Sequence, residues 1–294
     1  NQLTKPLNKK MKYSTLPNTD IKVSKICLGT MTFGQQNSEA EGHAQMDYAI
    51  DQGVNFFDTA EMYSIPSRKE TYGSTEKIIG TWLKKTGKRE EIVLASKIAG
   101  PNPNFGYMRD KLDFSPKSIQ YALDHTLQRL QTDYLDLYQL HWPERKTNCF
   151  GQRGYKVQED AWQDNIHEVL EALDGFVKAG KIKHIGLSNE NPWGIMRFLE
   201  ESKYHNLPRI KTIQNPYSLL NRLFENASAE VCMRENVGLL AYSPMAFGVL
   251  SGKFLTGEPH PNARVNLFPQ YSRYNSSNCT EATKRYQEVA HKHG

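Results

Sequence analysis

Asp58 and Tyr63 in NFFDTAEMY, Lys97 in IVLASKI and His141 in YLDLYQLHW bring a carboxylate, a phenol, an ammonium and an imidazole into one chain. That set suits proton transfer at a carbonyl oxygen. A phenol ordinarily titrates near pKa ~10 and becomes a usable proton donor when a cation stabilises its phenolate. A lysine held by a carboxylate in a poorly hydrated pocket can supply that cation. Each residue also has a plainer reading: Asp58 as a turn or capping residue, Lys97 as a surface charge, Tyr63 and His141 as packing side chains. Their placement decides between the two. All four fall at or just past the C-terminal end of an apolar run that reads as a strand, where a parallel α/β barrel collects its site.

Other chemistries find less support. H-E-x-x-H does not occur, and His167, His184 and His205 fall on helices or strand starts with no evident convergence, so no metal ligand is assigned. Ser188 in GLSNE lacks the second glycine of G-x-S-x-G. GVLSGKF is one residue short of a Walker loop and has Phe254 where a Ser or Thr would hold magnesium, though its amides could cradle a diphosphate.

The elements that must position these groups alternate between two periods. After an N-terminal hairpin around MKYSTLPNTDIKVSKI, ICLGTMTF, NFFDTAE, IVLASKI, YLDLYQLHW, IKHIGLSN, IKTIQNPY and VGLLAYSPM read as strands. A helical pattern follows each, the last being EATKRYQEVAHKHG after a loop rich in Pro, Asn and Ser that runs to about Cys279. Such alternation implies a parallel sheet, open or closed. An open sheet concentrates ligand groups near a glycine-rich first turn, but G-x-G-x-x-G is missing and the polar candidates are spread over nearly every strand end. The fold class expected is therefore α/β, a (β/α)8 TIM barrel with an N-terminal β-hairpin.

Composition agrees with one globular unit. The 294 residues are 38% hydrophobic and 11% aromatic, enough for a barrel core. The net charge of +5 comes from 37 basic and 32 acidic side chains that are interleaved, so no nucleic-acid partner is expected, while a phosphate-bearing cofactor is compatible. Four scattered cysteines without a C-x-x-C pair suggest reduced thiols and a cytoplasmic setting. No apolar run has the length of a membrane span, and no membrane partner is expected. Residues 1–10 read as a tag or disordered leader, and 11–294 as a single domain.

The ordered segments GTMTFG, DTAEMY, ASK, LHWP, GLSN, IQNPYSLLNR and LLAYSPMAFGVLSGK resemble the successive signatures of the aldo-keto reductases, from about Met11 to the last residue. The inserts SIPSRKETYG and ERKTNCFGQRGY are most similar to the bacterial Tas branch of that family. The resemblance implies NADPH-dependent reduction of an aldehyde or ketone without metal, NADH not being ruled out. Tyr63 would be the general acid, Lys97 would depress its pKa, Asp58 would hold the ammonium, and His141 would orient the carbonyl or assist proton transfer. It further implies Ser188, Asn189 and Gln214 as ligands of the cofactor's carboxamide and Tyr242 as the ring stacked on its nicotinamide, bordered by Gly29, Thr30 and Met31. A pyrophosphate loop would run from Ser243, Pro244, Met245, Ala246 and Phe247 through Gly248, Val249 and Leu250 to Ser251, Gly252 and Lys253. Arg264 is a further phosphate candidate. Phe33, Trp142, Trp162 and Trp193 are expected to line the pocket for a small carbonyl substrate.

The family pattern also implies an eighth strand and helix carrying the 2′-phosphate site, and the seventh unit is the last read here. The chain is therefore expected to be C-terminally incomplete, with cofactor preference outside the residues shown. The alternative function is an NADPH-binding, redox-sensing regulatory subunit with little turnover.

Overall fold

The computed structural model describes residues 10–294, so the expected leader lies outside the described residues except for Lys10. β1 (Tyr13–Thr15) and β2 (Lys22–Ser24) pair antiparallel and form the expected hairpin. Seven strands then follow in strict parallel order: β3 (Cys27–Gly29), β4 (Phe56–Asp58), β5 (Val93–Ile98), β6 (Leu135–Leu140), β7 (Ile182–Ser188), β8 (Ile210–Pro216) and β9 (Gly238–Tyr242). Helices α1 (Glu39–Asp51), α2 (Ser74–Thr86), α3 (Pro116–Leu130), α4 (Ile166–Lys178), α5 (Pro192–His205) and α6 (Ser228–Glu235) connect them. Local signals set several starts: Ser38 and Glu41 close a capping box on α1, and Ser115 caps α3 with Pro116 in its first turn.

The sheet is curled rather than flat. Gln214 on β8 hydrogen-bonds Asp58 on β4 at 2.9 Å, although four strand spacings in a flat sheet would separate them by roughly 19 Å. Curling, parallel order and outer helices together make this an α/β barrel of the (β/α)8 class; among the described residues seven of its strands are present, and the outer edges of β3 and β9 have no strand partner.

Alternation along each strand sorts its side chains. Phe57, Leu94, Ile98 and Leu140 point outward into the layer shared with the helices, where Phe57 meets Trp82 with ring centroids 5.6 Å apart. Phe56, Val93, Ala95 and Leu137 form a separate apolar cluster with Leu16 and Val23 of the hairpin. Two residues further along those strands stand Asp58, Lys97 and Gln139, so period two carries the polar groups toward the C-terminal mouth above an apolar floor. The hairpin turn is fixed to the far side of the barrel by Asn18, which donates to Asn236 O at 3.1 Å and accepts from Lys211 Nζ at 3.0 Å through its carbonyl.

The segment after β9 departs from the expected loop. It contains short 3-10 turns over Ala246–Ser251 and Lys253–Leu255 and the short helix α7 (Arg264–Leu267). The last helix, α8 (Ser277–His293), starts earlier than the apolar pattern indicated because the Ser276 hydroxyl accepts from Cys279 N and caps it. Two histidines with no evident convergence in the sequence do meet: His167 on α4 faces His205 on α5, ring centroids 4.4 Å apart.

Candidate active site

Asp58, Lys97 and His141 reach the C-terminal mouth because each follows the last inward apolar residue of β4, β5 or β6 by a multiple of two. Lys97 is fully buried, and its ammonium donates to Asp58 Oδ2 at 2.6 Å and to Thr59 O at 2.7 Å. The other Asp58 oxygen accepts from Gln214 Nε2 at 2.9 Å and Gln139 Nε2 at 3.2 Å. A charge this deep is tolerated only when paired and hydrogen-bonded, and here both partners are. Burial works against the Lys97 ammonium, but Asp58 and Tyr63 outweigh it and hold its pKa above the usual lysine value.

Tyr63 lies on the turn after β4 and presents its ring 5.0 Å from Lys97 Nζ and 5.7 Å from the His141 ring, edge to face. Lys97 pulls the phenol pKa down, as expected, but the net direction is the reverse: burial is the larger influence, Asp58 adds to it, and Tyr63 stands above its ordinary 10.0. The phenol is thus kept protonated. His141 is pushed well below 6.5 by burial first and by the Lys97 charge second, so its imidazole is neutral near pH 7. Its Nδ1 is shielded from water without a hydrogen-bond partner.

The neighbouring strand ends form a connected wall. Ser188 Oγ donates to Gln214 O at 3.0 Å; Asn189, in the left-handed region at φ 55°, donates from its side chain to His141 O at 3.0 Å and accepts from Tyr242 Oη at 2.7 Å. Thr30 bonds Asp58 O through both its amide and its hydroxyl, at 3.2 and 2.8 Å, which sets Gly29 and Met31 beside the acid. The Gln214 amide nitrogen is directed at Asp58, so only its oxygen remains for another partner.

A cavity of about 2600 Å³ opens onto Asp58, Tyr63 and His141 and runs along the segment after β9. Ser243, Pro244, Met245, Phe247, Gly248 and Lys253 line it, as do Arg264 and Arg273. The rest of the expected phosphate loop does not: Ala246 is fully buried, and Val249, Leu250, Ser251 and Gly252 turn away, the last against Gln287 of α8. Arg264 Nε is shielded from water with no hydrogen-bond partner.

Of the four aromatic residues expected at the substrate, Trp142 alone lines the cavity, held by Nε1 donating to Pro101 O at 3.1 Å. Phe33 is fully buried in the outer layer against α1 and α2. Trp162 and Trp193 pair with each other away from the cavity, and the Arg145 guanidinium lies 4.7 Å from the Trp193 ring. Flat apolar shape gave them no direction; helix packing did.

Sequence reasoning missed Gln139, Glu190, Arg145 and Arg273. Gln139 was findable, since it stands two residues before His141 and must share its face. Glu190, buried directly after Asn189, takes a bidentate bond from Arg145 at 2.9 and 2.5 Å and so ties the insert after β6 to the end of β7. Asn191 reinforces the tie by donating to Asn148 O at 2.6 Å and Thr147 Oγ1 at 3.0 Å.

Comparison with known proteins agrees with this arrangement. The sequence pattern of the Aldo/keto reductase family matches residues 25–294. The chain is 50% identical to "Protein tas" of Escherichia coli K12 over 285 residues, 97% of this chain and 82% of that one. It is 36% identical to "Uncharacterized oxidoreductase YrpG" of Bacillus subtilis 168 over 248 residues, 83% and 70% of the two chains. "Aldo-keto reductase yakc [NADP(+)]" of Schizosaccharomyces pombe is 28% identical over 266 residues, 90% of this chain and 70% of the relative. With the barrel and its strand-end polar groups in place, the chain belongs to the aldo/keto reductase family, and its identity to the Tas protein supports the Tas branch.

Proposed function

We propose that the chain reduces an aldehyde or ketone to the alcohol with NADPH as reductant and Tyr63 as proton donor. Family membership supports carbonyl oxidoreduction in general; one relative carries NADP(+) in its name. The observation that carries the finer reading is Lys97, buried, bound to Asp58 at 2.6 Å and 5.0 Å from the Tyr63 ring at a cavity. Tyr63 lines that cavity with the fixed ammonium behind it.

The residues at the cavity fit a dinucleotide. Arg264 offers a shielded, unpartnered Nε, a donor that a phosphate oxygen would satisfy, and Lys253 adds a second cation. Ser188, Asn189 and the oxygen of Gln214 would hold the carboxamide, and Tyr242 the ring. When bound, the cofactor supplies a hydride. Tyr63 donates its proton to the carbonyl oxygen as negative charge gathers there, and the nearby Lys97 ammonium stabilises the phenolate that remains. Asp58 keeps that ammonium in place. Neutral His141 hydrogen-bonds the carbonyl oxygen and orients it without adding a competing acid.

The test follows NADPH absorbance over a panel of aldehydes and ketones. Tyr63→Phe is expected to bind NADPH like the parent and to lose reduction by roughly 10²-fold or more. Equal rates would remove Tyr63 as proton donor; a parent that binds NADPH and reduces nothing would make the chain a redox-sensing regulatory subunit instead.

A further inference from the structure

We propose that His167, Glu201 and His205 form a site for a divalent cation of the zinc class on the outer face of the barrel, where it fastens α4 to α5. Glu201 and His205 are four residues apart and share one face of α5, while His167 projects from the first turn of α4. Glu201 Oε2 lies 3.3 Å from His167 Nδ1 and 3.3 Å from His205 Nε2, and all three donor atoms fall within 4.8 Å of one another.

The spacing is the argument. Donors held about 2.0–2.1 Å from a tetrahedral zinc ion stand roughly 3.3 Å apart. A charge-assisted bond from imidazolium to carboxylate closes to about 2.7–2.9 Å, and neither contact here has closed. The carboxylate oxygen thus stands from each imidazole at the edge length of a coordination polyhedron rather than at the length of a shared proton, with all three donors within 4.8 Å of one another. Two imidazoles with one carboxylate also suit zinc-class ions rather than magnesium or calcium, which prefer all-oxygen shells.

The surroundings orient the same atoms. His167 Nε2 lies 3.4 Å from Glu171 Oε1, so the carboxylate favours a proton on that nitrogen and leaves Nδ1 as a lone-pair donor. Arg197 donates to the other Glu201 oxygen at 2.8 Å, which turns Oε2 toward the histidines. Its charge opposes a cation, but Asp164 at 2.9 Å and Glu200 at 3.5 Å offset it. The side chains are 40%, 16% and 50% exposed in order of sequence, which gives an ion access from solvent and lets water complete its shell.

Calorimetric titration of the metal-free protein with ZnCl2 at about pH 7 tests the site, with melting temperature read in parallel. The parent should take one zinc ion that His205→Ala, His167→Ala and Glu201→Gln each weaken by about tenfold or more, while MgCl2 gives no heat. Zinc should raise the melting temperature of the parent and not of the variants, whose metal-free melting shows that they fold. His291→Ala with His293→Ala, a control on the C-terminal histidines, should bind as the parent does. Failure of the parent to take up zinc at micromolar concentration, or undiminished uptake by all three variants, would overturn the proposal.

Discussion

Gln214 on β8 and Asp58 on β4 meet across the barrel interior at 2.9 Å, a contact between residues on opposite walls. It completes the shell of an acid whose other oxygen is taken by Lys97. Gln214→Leu should therefore cost about 1.5–3 kcal/mol, the range for a hydrogen bond to a charged group, as measured by urea unfolding. A change below about 0.5 kcal/mol would mean that Gln139 alone suffices.

Lys97→Met leaves Asp58 as an unpaired buried carboxylate and should cost about 3–5 kcal/mol. Adding Asp58→Leu removes the stranded charge and should return most of that stability without returning reduction. Denaturant unfolding and NADPH turnover on the single and double variants separate the two effects. A double variant that stays as unstable as Lys97→Met contradicts the pairing argument.

Arg145→Ala frees buried Glu190 and unfastens the insert after β6 from the end of β7. We expect destabilisation of about 3 kcal/mol and faster limited proteolysis between Cys149 and Glu159. In turnover, KM for the carbonyl compound should rise while kcat changes less, because the tie acts on the cavity wall and not on Tyr63. Unchanged cleavage would show that the loop is held by other contacts.

His141 is held well below its unfolded pKa by burial and by Lys97. Below about pH 6.5 the unfolded chain binds a proton that the folded chain refuses, so the stability this group contributes is present above that pH and is lost as pH falls toward the folded value. His141→Asn should flatten the decline of unfolding free energy between about pH 7 and pH 5 relative to the parent. Parallel curves for the two proteins would mean that the imidazole takes up its proton without resistance.

The sequence made the barrel legible because the strand patterns were short and repeated, each answered by a helical period. It placed Asp58, Lys97 and His141 together for the same reason: every strand exposes one face at period two, so residues at its C-terminal end share a mouth. Phe33, Trp162 and Trp193 were misplaced because an aromatic ring says how much surface it hides, not toward which neighbour. The net direction at Tyr63 was also out of reach, since a formula for charge neighbours omits the depth at which they act. His167 and His205 lie on different helices, and only the packing of α4 on α5 makes them adjacent.

The bracket between Arg145 and Glu190 divides the molecule's outer rim into anchored and unanchored lengths. Lys146 N, donating to Asp160 Oδ2 at 2.5 Å, closes the same excursion at its other end. Between Asn148, which Asn191 also holds, and Asp160 the chain can lengthen, shorten or exchange side chains while Asn189, and through it Tyr242 and the His141 carbonyl, keeps its position. The shape of the cavity's rim can therefore change by drift in one stretch of backbone while the Asp58–Lys97 pair keeps its geometry.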